Sequence, residues 1–100
     1  MVEVEYRSKQ ERENDKRLEN IVVIAKEVLP DMEIFEFALM VHFKNKDSNI
    51  PITANLTLAD SKSIKVDVYF PDKFDAAMKF AEAYEARTGE KVIIKRNYDN

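Results

Sequence analysis

His42 is the only histidine in the chain, and it is the first side chain to ask for chemistry. It stands in 33–43, where apolar and polar residues alternate, on the polar side with Glu36, Ala38 and Met40. Asp67 and Tyr69 hold the polar side of a second alternating stretch, 64–70, and Thr57 that of a third, 50–58. Paired strands would bring these groups to one face. An imidazole beside a carboxylate could then act as a general base, with Tyr69 or Thr57 as its hydroxyl partner. A flat, wetted sheet face offers no cleft, however, and perturbed groups in a cleft are what mark a catalytic site. His42, Asp67 and Tyr69 are therefore the residues of an enzymatic or small-ligand alternative. The primary reading is non-enzymatic, with no catalytic residue assigned.

Other reactive patterns are missing from the sequence. With one histidine and no cysteine, the converging ligands of a structural or catalytic metal site are not expected. Disulfides and thiolate chemistry are excluded outright. The single glycine, Gly89, cannot supply a G-x-G-x-x-G turn or a P-loop, and no serine nucleophile elbow is present. No cofactor is expected.

Nucleic-acid binding has a candidate surface in Lys44, Lys46, Lys62 and Lys65, which fall at or near connectors. The chain carries 19 acidic and 16 basic residues, a net charge of −3. Its charges are interleaved, whereas phosphate binding needs concentrated basic surface. Nucleic acid is thus not the expected partner, although an RNA- or ribosome-associated factor is the first alternative. The element order helps that alternative by analogy alone. The order α-β-β-β-α resembles that of double-stranded RNA-binding domains, and β-α-β-β-β-α that of ribosome-hibernation factors. The RNA-binding domains reach phosphate through a basic cluster opening their second helix. Here that place reads Pro71-Asp72-Lys73-Phe74-Asp75, with two acids and one lysine.

The elements that position these residues follow from periodicity. In 33–43 the apolar side is Phe35, Phe37, Leu39, Val41 and Phe43. In 50–58 it is Ile50, Ile52, Ala54, Leu56 and Leu58, and in 64–70 it is Ile64, Val66, Val68 and Phe70. Alternation with period two is the mark of a half-buried strand. The connectors 44–49 and 59–63 are rich in turn formers. The three stretches therefore read as an antiparallel meander with one apolar face.

Val2, Val4 and Tyr6 alternate with glutamates and read as a further short strand. Residues 8–17 contain no apolar side chain and leave two options, a frayed helix or an arm. From Leu18 a helical stripe runs through Ile21, Val22, Ala25, Val28 and Leu29, with Val23 and Ile24 off it, and Pro30 ends it. A second helix follows Pro71, with Asp72 as N-cap. It buries Phe74, Ala77, Met78, Ala81 and Tyr84, with Phe80 on the flank, and Gly89 is its C-cap. Residues 91–96 form a last strand, paired beside 64–70 or beside 2–6, and 97–100 are a loose tail.

The whole is one domain, 1–100, in an α+β two-layer sandwich of order β-α-β-β-β-α-β with both helices on one face of the sheet. The other face would carry Ile34, Ala38, Met40, His42, Thr53, Asn55, Thr57 and Tyr69. Aromatic, methionine and small polar residues with few charges are the composition of protein interfaces. Met40, His42, Asn55, Thr57 and Tyr69 are accordingly the expected interface. The partner is another protein or a second copy, as in a small regulatory protein or an inhibitor of the kind a phage or mobile element encodes. With no apolar leader and no apolar run of the roughly 20 residues a membrane span needs, no membrane association is expected, and the expected location is the cytoplasm.

Overall fold

The computed structural model describes residues 1–47, 49–56 and 62–99. Its elements are α1 (Lys9–Val28), β1 (Glu33–Phe37), β2 (Met40–Lys44), β3 (Ile52–Asn55), β4 (Ser63–Val68), α2 (Phe74–Thr88) and β5 (Lys91–Arg96). The five strands form one sheet in the order β1-β2-β3-β4-β5, the first four antiparallel and β5 parallel to β4. Both helices cover the same face, giving the expected α+β sandwich. Among the described residues no helix is long and apolar enough to cross a membrane.

The meander has four strands rather than three, because 33–43 is a hairpin. Phe37 pairs with Met40 across the two residues Ala38 and Leu39, and Ala38 has φ 56°. Tight hairpin turns require a positive φ at a central position. A two-residue turn places the residues on either side of it on one face, so an alternation read straight through it slips by one and inverts. Phe35 and Phe37, expected in the core, lie on the outer face at 40% and 69% exposure, and Leu39 sits in the turn. Ile34, expected outside, packs against the core instead. Glu36, opposite Val41, also belongs to the helix-covered side.

Within β2, β3 and β4 the alternation keeps its phase, while Phe70, beyond the end of β4 and expected in the core, is 44% exposed. Val41, Phe43, Ile52, Ala54, Ile64, Val66 and Val68 are fully buried, and Leu56 is nearly so. Ile50 lies outside β3 and is part-exposed, and Leu58 lies outside the described residues. β5 sits beside β4, with Val66 opposite Ile94, so the open choice for the last strand is resolved. Residues 2–6 form no strand, and the chain order begins with α1. It matches neither order to which it was likened.

α1 begins nine residues earlier than its apolar stripe, and a reciprocal cap explains why. Ser8 Oγ accepts from the Glu11 N–H at 3.1 Å, and the Glu11 carboxylate accepts from the Ser8 N–H at 3.3 Å. Two of the helix's orphan donors are thereby satisfied. The stripe is also wider than expected: Ile24 is 4% exposed while Val23 remains at 55%. Ile24 and Val23 border a hollow shared with Arg87 and Thr88 of α2.

α2 departs from expectation at its start. Pro71–Lys73 forms a 3₁₀ turn, and no side chain caps either segment, so Asp72 is not an N-cap. Phe80, expected on the flank, is fully buried with its ring edge-on to Phe43 at 5.0 Å. Phe74 and Met78 are only half-buried. Gly89 closes the helix at φ 74°, its N–H bonded to the Glu85 carbonyl. The tail is anchored through residue 98: the Asn97 N–H bonds the Val68 carbonyl at 2.8 Å, and Tyr98 packs on the core.

Candidate functional site on the outer face of the sheet

Register arranges the open face of the sheet in rows. One row runs Phe37, Met40, Asn55, Lys65 and Ile93, and the next Phe35, His42, Thr53, Asp67 and Lys95. The β1–β2 end of these rows is apolar and aromatic. The Phe35 ring tilts over the His42 imidazole with centroids 5.0 Å apart. Beside this pair, Phe37 is the most exposed apolar side chain of any strand. Met40, His42 and Asn55 are half-buried. Tyr69, which continues the β4 ladder through its N–H to the Pro51 carbonyl, is 39% exposed. Thr57 lies outside the described residues.

The general-base pair is not assembled. His42 Nδ1 lies 3.0 Å from Thr53 Oγ1, and Thr53 occupies the strand between His42 and Asp67. Two strand spacings separate the imidazole from the carboxylate, about 10 Å. Asp67 Oδ1 instead accepts from the Asn97 amide at 3.1 Å. Among the described residues no three His, Asp or Glu side chains converge to hold a metal ion.

The four lysines do not make one patch. Lys44 and Lys46 lie where β2 turns toward β3, and Lys44 faces Glu33 at 3.4 Å. Lys62 precedes β4 at the opposite end of the sheet, with Lys65 inside that strand. By register, Lys44 and Lys62 are roughly six or seven residues apart along the strands, about 20 Å.

One cluster escaped the sequence reading. At the end of the core, Arg17 donates to Glu90 Oε1 through Nε at 3.1 Å and Nη2 at 2.6 Å, and to the Ser63 carbonyl at 2.7 Å. The Tyr84 hydroxyl donates to Glu90 Oε2 at 3.3 Å. The Arg17 and Glu90 side chains are 13% and 17% exposed. Burial pushes the Tyr84 phenol up to about 12, the Glu90 charge adding to this and the Arg17 charge opposing it. Every strong donor and acceptor here has a partner, so the cluster ties α1, α2 and the start of β4 together. Arg17 lies 46 and 73 residues from Ser63 and Glu90, beyond the reach of any local spacing rule. The exposed phenylalanines of β1 depend on a hairpin whose turn, Ala38-Leu39, carries neither glycine nor asparagine to announce it. No family model matches the chain, and no curated protein or solved structure is similar to it beyond chance.

Proposed function

We propose that this chain is a non-enzymatic binding protein that engages another protein through the outer face of its sheet, the simplest partner being a second copy. The observation that carries this reading is the pair Phe35 and Phe37, 40% and 69% exposed beside Met40 and His42. Exposed apolar clusters of this kind on a sheet face usually mark contact sites, and aromatic residues dominate the energetic centres of interfaces. The interface is Met40, His42, Asn55 and Tyr69, with Phe35 and Phe37 added at its apolar end. Lys65, Lys95 and Asp67 share the face, so it carries both signs of charge. A two-fold contact needs such self-complementarity. The role that fits is that of a small regulatory or inhibitory domain, acting by occupying a partner's surface.

The test is sedimentation equilibrium on wild type, Phe37→Asp and Met40→Lys, with folding followed by circular dichroism. Wild type is expected to associate, and each variant to stay folded while associating at least roughly tenfold more weakly. Variants that associate as wild type does would remove this face from the function.

A further inference from the structure

A second surface, separate from the outer face, is the open edge of β5. In a parallel ladder alternate residues bond to alternate sides. Lys91 and Asn97 give their N–H groups to Lys62 and Val68, on the β4 side. Val92, Ile94 and Arg96 therefore direct their backbone groups outward. The Val92 N–H is taken by Glu85 Oε2 at 2.8 Å, while Ile94 and Arg96 point theirs at the open edge. Such an edge is a template for one more strand.

The chain carries a segment with the pattern of that strand. Val2, Val4 and Tyr6 alternate with Glu3 and Glu5 and are 87%, 76% and 91% exposed, yet residues 1–7 have no regular structure. We propose that Val2–Tyr6 of one copy adds to the β5 edge of a second copy as a sixth strand, reciprocally, closing a dimer.

Three observations select this pairing. The apolar sides match: Val2, Val4 and Tyr6 would continue the row of half-buried Val92 and Ile94 on the helix-covered face. The charges match: Glu3 and Glu5 would then fall on the outer face with exposed Lys91 and Lys95. Opposite charges across a strand pair stabilise, and like charges repel. The other free edge, β1, fits the arm on neither side: Glu33 lies on the outer face where Glu3 and Glu5 would fall, and Glu36 sets a charge on the helix-covered face where the arm's apolar side chains would lie. Finally, geometry directs the arm away from its own sheet. Arg17 is fixed beside Ser63 and Glu90, at the start of β4 and β5. Ser8 lies about 13 Å farther out along α1 at 1.5 Å per residue. Residues 1–7, fully extended, span at most about 25 Å. Returning to its own β5 would use residues 4–7, Val4 and Tyr6 among them, so Val2–Tyr6 could not pair there as a strand.

The experiment is sedimentation equilibrium of the full chain, comparing wild type with Glu3→Lys/Glu5→Lys, with Lys91→Glu/Lys95→Glu, and with all four changes combined. Each reversal alone should weaken dimerisation roughly tenfold, and the combination should restore most of it, because the pairs are re-formed with signs exchanged. The arm variant touches no packed residue, so its result stands even if the β5 variant unfolds. Wild type remaining monomeric, or a dimer indifferent to the arm variant, would overturn the proposal. A dimer broken by Phe37→Asp but not by Glu3→Lys/Glu5→Lys would assign association to the outer face alone.

Discussion

β1 and β4 both come from stretches whose apolar residues recur at every second position, and the two sets meet opposite fates. Ile64, Val66 and Val68 of β4 are fully buried, while Phe35 and Phe37 of β1 stand in solvent. β4 lies between two other strands, under α2, and receives Arg17 at its first carbonyl. β1 is an edge strand on the far side of a two-residue turn. Alternation states that a strand has two faces; the turns and neighbours decide which one is inside.

The largest effect that could break this contrast is in β4 itself. Ile64→Ala should cost about 2–5 kcal/mol in urea unfolding, since it removes a fully buried side chain and leaves a cavity. Arg17→Ala should cost about 3 kcal/mol by the same measurement, because it strands the largely buried Glu90 carboxylate. At the other end, Ala38→Gly should be neutral or stabilising by up to about 1 kcal/mol, as glycine relieves the left-handed backbone while loosening the unfolded chain. Measured at concentrations low enough to keep the chain monomeric, Phe37→Ala should change stability by no more than about 0.5 kcal/mol. A Phe37→Ala loss comparable to that of Ile64→Ala would place β1 in the core and end the contrast.

The polar cluster at the start of β4 adds a pH dependence. A folded-state phenol raised from 10 to about 12 favours the protonated form in the native state. The stability it contributes is fully present below pH 10 and is lost as pH rises from 10 toward 12. Tyr84→Phe should flatten that alkaline fall in thermal melts, and phenolate absorbance should lose its latest-titrating component.

Much of the fold was legible because it is local. The stripe Leu18, Ile21 and Ala25, the stop at Pro30 and the left-handed Gly89 each depend on residues within a few positions. Ser8 and Glu11 had the spacing of a capping box, so the start of α1 was also readable. The inverted face of β1 was not, since Ala38-Leu39 lacks the glycine or asparagine that usually announces a tight turn. At the candidate site, Met40 and His42 were placed on the right face. Their neighbours Phe35 and Phe37 were assigned to the core for the same reason the turn was missed. Arg17 with Glu90 is tertiary: its meaning appears only when α1, β4 and β5 are already together.

The parallel seat of β5 also orders the path to the native state. The hairpin through Ala38 and Leu39 closes a loop of two residues, whereas β4 waits for a partner that returns only after residues 69–90, helix included. Loop-closure entropy favours the short connection first, and pairings distant in sequence slow the overall rate. The meander and α1 should therefore be structured in the transition state, with β5 docking afterwards. Substitutions in β2, such as Val41→Ala, should then slow refolding, while Ile94→Val should chiefly hasten unfolding, as the two arms of a chevron plot would show.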